Sequence, residues 1–121
     1  MDKYTQEELQ EALQVVSSAI SRCEKTQLKF KQGTSQHTLL KNRLNAMYIS
    51  KSLITNENDL DRYTKEELIE VLLPVTSIIN KCKKAQLKFA EGTYHYARIK
   101  NLIKAMYISE SMISNEIDKR D

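Results

Sequence analysis

Shifted by 59 positions, the sequence lies on itself, and this self-similarity constrains the fold more than any other feature. Tyr4 and Thr5 fall on Tyr63 and Thr64, Cys23 on Cys82, and Gln27-Leu28-Lys29-Phe30 on Gln86-Leu87-Lys88-Phe89. Gly33-Thr34 falls on Gly92-Thr93, Lys41-Asn42 on Lys100-Asn101, and Ala46-Met47-Tyr48-Ile49-Ser50 on Ala105-Met106-Tyr107-Ile108-Ser109. About half of the aligned positions are identical. A period of this length means that one supersecondary unit is written twice. We read residues 2–59 as repeat one and 61–118 as repeat two of a single domain spanning 1–121.

Each unit opens on a helix-start signal. Thr5-Gln6-Glu7-Glu8 and Thr64-Lys65-Glu66-Glu67 read as capping boxes, in which Thr caps the N3 amide and Glu reaches back to the cap. An apolar stripe follows at alternating spacings of four and three: Leu9, Leu13, Val16, Ile20, Cys23, Gln27 and Phe30. Its copy is Leu68, Leu72, Val75, Ile79, Cys82, Gln86 and Phe89. That spacing is the signature of an amphipathic helix. Gly33 and Gly92 then punctuate the chain; a glycine there suits the left-handed conformation that closes a helix. Thr34 and Thr93 are good caps for a second helix. That helix carries Leu40, Leu44, Met47, Ser50, Leu53 and Ile54, matched by Ile99, Ile103, Met106, Ser109, Met112 and Ile113.

A connection so short makes the two helices antiparallel neighbours. The expected fold is therefore all-α: an antiparallel up-down-up-down four-helix bundle built from two tandem α-hairpin repeats. The polar stretch 58–62 is the expected link between them. Ala46, Ser50, Ala105 and Ser109 place small residues where another helix can come close. Pro74, aligned with Val15, predicts a kink in the third helix. Gln27 and Gln86 read as polar seam positions that fix register, able to hydrogen-bond each other if they meet, with a polar pocket near the basic pole as the alternative; Cys23 and Cys82 read as small core residues. Ile49 and Ile108 fall opposite the main stripe and are expected to be exposed, as candidates for a dimer contact.

Charge is distributed unevenly. The chain carries a formal net charge of +3, but residues 22–45 and 81–104 together carry +11, and the remainder −8. In the expected bundle both Gly-Thr loops lie at one end, which makes that end a basic pole. Helices one and three start with Glu and end with Lys, as the helix dipole favours. Helices two and four start among Lys and Arg and run into Glu57, Asp59, Glu116 and Asp118, so dipole complementarity does not account for the pole. The largest break in the repeat falls there too: Ser35-Gln36-His37-Thr38-Leu39 in the first copy against Tyr94-His95-Tyr96-Ala97-Arg98 in the second.

No chemistry of catalysis can be nominated. There is no phosphate-binding glycine loop, no paired Glu-x-x-His set for a di-iron centre and no short Cys/His spacing for zinc. His37 and His95 do not occupy equivalent positions. No enzyme activity, cofactor or metal is expected. Two cysteines and the absence of a signal peptide or a spanning apolar run point to a cytoplasmic protein without a membrane segment. The reading is a non-enzymatic interaction module that binds a protein partner or a second copy of itself. The alternative is an anion or nucleic-acid binder acting through the basic pole, with Lys29, Lys41, Lys88, Arg98 and Lys100 on phosphates and Tyr94 or Tyr96 stacking on bases. The plainer reading of the same residues is a solvated helix end.

Overall fold

In the computed structural model, which describes residues 4–55 and 63–120, the chain forms four helices. They are α1 (Gln6–Gln27), α2 (Ser35–Thr55), α3 (Lys65–Gln86) and α4 (Tyr94–Lys119). No strand occurs among the described residues. The stretch expected to link the repeats lies outside them. No described helix is long and apolar enough to cross a membrane.

The helices begin where local chemistry places them. The Glu8 amide donates to Thr5 Oγ1 at 3.1 Å and the Thr5 amide to Glu8 Oε1 at 3.0 Å, completing the capping box. Thr64 and Glu67 repeat it at 2.9 and 3.1 Å. Thr34 and Thr93 accept from the amides of His37 and Tyr96 and donate to the carbonyls of Lys31 and Ala90. Each cap hydroxyl thus holds the turn before it as well as the helix after it.

The first helices end earlier than the apolar stripe implies. After Gln27 and Gln86 the chain tightens: the Lys29 and Phe30 amides donate to Thr26 and Gln27, and those of Lys88 and Phe89 to Ala85 and Gln86. Gly33 and Gly92 do take positive φ, at +92° and +87°. They do so inside a separate turn, closed by bonds from Thr34 to Lys31 and from Thr93 to Ala90, and not in the last turn of α1 or α3. Phe30 and Phe89, expected on the buried stripe, are each 38% exposed for that reason. Burial along the stripe fades from Ile20 and Ile79, through half-buried Cys23, Gln27, Cys82 and Gln86, to these two rings. No hydrogen bond joins the Gln27 and Gln86 side chains, so they do not pair across the seam.

Contacts between helices show how the elements run. α3 and α4 meet at Thr76–Glu110 and Lys83–Tyr107, and just past the end of α3 Phe89 meets His95, so position falls along one as it rises along the other. α1 and α4 meet through Glu8 and Lys104, 3.5 Å apart, near the start of α1. Farther along, Gln14 to Arg22 border the same groove as Tyr94 to Leu102. Equivalent positions can make different contacts. Tyr48 of α2 donates to Glu24 of α1 at 2.5 Å. Its counterpart Tyr107 sits under the Lys83 ammonium, 5.1 Å from ring centroid to Nζ, because Lys83 stands where repeat one has Glu24.

The bundle is lozenge-shaped in section. Each helix touches its two neighbours, α2 also touches α4 across one diagonal, and α1 and α3 stay apart across the other. The small residues Ala46, Ser50, Ala105 and Ser109 are all buried, which suits the close α2–α4 approach. Both serine hydroxyls bond back to the carbonyls of Ala46 and Ala105, at 2.7 and 2.9 Å, so burying them leaves no orphaned donor. Helices with neighbours on three sides bury a wider arc than a single apolar stripe. Ile49 and Ile108 are accordingly 3% and 2% exposed and belong to the core, which removes them as dimer-contact candidates.

α3 is a single helix from Lys65 to Gln86 with Pro74 inside it. At the end of α4, Glu116 and Asp118 are offset by Lys119 in the same turn and by Arg120, which bonds to Glu116 at 3.1 Å and to the Tyr63 carbonyl. These cations complement the negative end of the helix dipole and tie it to the start of α3.

Candidate binding surface at the loop pole

The two Gly-Thr turns, the ends of α1 and α3 and the starts of α2 and α4 make up one end of the bundle. Of the residues read from sequence as contacts, Lys29, Lys41, Lys88, Tyr94, Arg98 and Lys100 are exposed and Tyr96 is half-buried. Lys29 and Lys88 sit in the tight turns just after α1 and α3. Lys41 and Lys100 lie on the second turns of α2 and α4. Tyr94 and Arg98 are brought together; they line a groove of about 520 Å³ between α1 and α4, with Arg22, Phe89 and His95. Tyr96, Lys41 and Lys100 do not line that groove.

Three rings form a small cluster at the groove. Phe89 and His95 stack with centroids 5.0 Å apart and planes inclined by 29°. Tyr94 meets His95 edge-on at 5.7 Å. Offset and edge-on geometries are those preferred by aromatic quadrupoles. The cluster has no counterpart in repeat one, where Ser35 and Gln36 replace Tyr94 and His95. Phe89, His95 and Arg22 were missed because the stripe assigned Phe89 to the core and because Arg22 comes from another helix.

The most exposed apolar side chains at this end come from the turns. Leu28 is 88% exposed and Leu87 is 87% exposed, each followed by a lysine and then by a half-covered phenylalanine. The sequence did hold a signal. Leu28 and Leu87 are identical between repeats yet belong to neither apolar stripe, so core packing does not explain their identity.

A second cavity, about 220 Å³, opens beside the first on the wide α1–α3 diagonal. Ala19, Met47, Ile78 and Leu102 give it apolar walls, and Cys23, Cys82, Arg22, Arg43 and Lys81 complete the lining. Both cysteines are free thiols. Burial pushes both pKa values up, outweighing the opposing pull of the Arg43 charge. Arg43 itself is unusual: its Nε and Nη2 are buried and have no hydrogen-bond acceptor. A buried donor left unsatisfied costs about 1–3 kcal/mol, and more when charged. The residue aligned with Arg43 in repeat two is Leu102, so the repeat does not require a cation there.

Among the described residues no group of three or more His, Cys, Asp or Glu side chains could hold a metal ion. Compared with known proteins, the chain matches no protein family, no curated protein and no solved structure.

Proposed function

We propose that this chain is a non-enzymatic interaction module that docks a protein partner through its loop pole. The observation that carries the reading is the repeated Leu-Lys-Phe turn, with Leu28 and Leu87 almost wholly exposed amid lysines. Large apolar side chains that face water in both copies gain free energy only when something covers them. The surrounding cations select a partner face that is acidic as well as apolar, and they speed its approach. The test is affinity capture from native extract with the wild-type chain and with a Leu28→Ser/Leu87→Ser double variant. Because both side chains are exposed, the variant should melt at the wild-type temperature while losing the captured partner. Equal capture by both proteins would remove the reading.

The second reading, a nucleic-acid binder, is favoured by a different observation: rings interleaved with arginines along the α1–α4 groove. Phe89, His95 and Tyr94 offer stacking faces, Arg98 and Arg22 offer cations, and Lys29, Lys41, Lys88 and Lys100 extend the positive field. Titration with single-stranded oligonucleotides over a salt series decides it. Phosphate contacts make affinity fall steeply with salt. No binding at about 50 mM salt, or a flat salt response, eliminates this reading.

A further inference from the structure

The outer face of α3 is a feature apart from the groove and the cavity. We propose that it is the contact surface for a second copy of this chain, with the two α3 helices packed antiparallel across a twofold axis. The contact shares Leu87 with the docking surface above, leaves Leu28 outside, and does not depend on that reading.

Three observations converge. First, α3 carries a second row at alternating spacings of four and three, one position along from the buried stripe: Ile69, Leu73, Thr76, Asn80, Lys83 and Leu87. All six are exposed, Ile69 by 47% and Leu73 by 76%. Leu87 caps the helix with helical dihedrals, so the row runs unbroken to it. This spacing is the seam of a helix that packs on another helix. Thr76 and Lys83 edge onto α4, while Ile69, Leu73, Asn80 and Leu87 stay open to solvent.

Second, neither the core nor the repeat requires the aliphatic pair. Ile69 and Leu73 align with Gln10 and Gln14, which are exposed on α1. The matching row of repeat one is therefore polar up to Leu28. An apolar row on one flank only suits a self-complementary contact, which closes at two copies and does not extend into a chain.

Third, charge reverses along α3. Glu66, Glu67 and Glu70 lie in its first two turns; Lys81, Lys83 and Lys84 lie near its end, with Lys88 just beyond. A second copy running the same way sets like charge against like. Running the opposite way, it sets the acids of each helix against the lysines of the other. The whole molecule agrees: the basic pole of one copy then lies beside the acid-rich starts of α1 and α3 in the other. With the axis level with Ile78, each Ile69 meets Leu87 of the other copy and Leu73 meets the alkyl stem of Lys83. Glu66 and Glu70 then flank Lys84 and Lys88 of the other copy. A strip about 33 Å long and about 15 Å wide gives roughly 500 Å² per copy, or about 1,000 Å² in all, the threshold of a specific interface. The expected dimer is accordingly weak and concentration-dependent.

The experiment is sedimentation equilibrium of the full chain over a concentration series. The wild type should dimerise with a Kd of about 10–100 µM, and the Kd should rise several-fold between about 50 and 500 mM salt. Ile69→Gln/Leu73→Gln installs the side chains that repeat one carries at the same exposed positions. It should keep the helical circular-dichroism spectrum and weaken the dimer by about tenfold or more. Glu66→Lys/Glu70→Lys and Lys84→Glu/Lys88→Glu should each weaken their own dimer and should form a heterodimer when mixed. That charge-swap arm stands even if the apolar variant fails to fold. A chain that stays monomeric to about 1 mM overturns the proposal. So does a dimer that survives Ile69→Gln/Leu73→Gln, or a pair of charge-swapped variants that does not recombine. Leu28→Ser should keep the dimer while weakening partner capture, and Ile69→Gln/Leu73→Gln should keep partner capture, so the two readings fail independently.

Discussion

Gly33 and Gly92 have nothing within 4 Å of where a Cβ would sit, so replacing them has a conformational cost only. Alanine at φ near +90° is strained, and Gly33→Ala should lower stability by about 1–2 kcal/mol in a denaturant melt. Thr5→Ala removes a cap and should cost about 1 kcal/mol. Its partner Glu8 has a depressed pKa, first because of the hydrogen bond from the Thr5 backbone and also because of the nearby Lys104. A depressed carboxylate adds stability that is present above its unfolded pKa and lost as pH falls through the folded value. Glu8→Gln should therefore flatten the acid limb of a stability–pH curve below the ordinary carboxylate range. The thiols respond the other way. With both pKa values raised by burial, Cys23 and Cys82 should alkylate more slowly than a free thiol at pH 8. Equal rates would mean that the cavity is open to water. At this scale the caps were fully legible in the sequence, because capping is a local interaction. Arg43 was not, because its isolation is set by groups from three other helices.

Among the elements, α3 carries the clearest conflict between local preference and packing. Pro74 lacks an amide hydrogen, which leaves the Glu70 carbonyl without its helical donor, yet α3 runs on from Lys65 to Gln86. Tertiary burial of Leu68, Val71, Val75, Ile78 and Ile79 holds it together on both sides of the proline. Pro74→Ala should restore the bond and stabilise the chain by about 1–3 kcal/mol, measured by urea unfolding. No gain would mean that the neighbouring helices already offset the cost. Helix periods and starts could be read from the spacing of apolar residues and from Thr-x-x-Glu. The ends of α1 and α3 could not. Phe30 and Phe89 keep the heptad spacing but lie beyond the point where the chain tightens into a turn, and spacing alone does not register that change.

For the whole molecule, the repeat was evident from two copies of one pattern, and it led directly to four helices. The basic pole was equally evident, because charge is counted along the chain and the loops determine where it gathers. Two features had to wait for the assembled bundle. One is the fate of Ile49 and Ile108: a single stripe gives a helix one inside face, but α2 and α4 each meet three helices and bury a wider arc than that stripe. The other is the cavity. Its walls come from all four helices, and it exists because one diagonal of the bundle is short. By itself the sequence determined the helices, their caps, the doubled hairpin and the charged end, since each arises from residues a few positions apart or from repetition of such a stretch. Only the tertiary structure decided which diagonal closes, and with it which isoleucines are buried and which guanidinium is left without a partner. Those outcomes depend on side-chain volumes meeting across helices far apart in the chain.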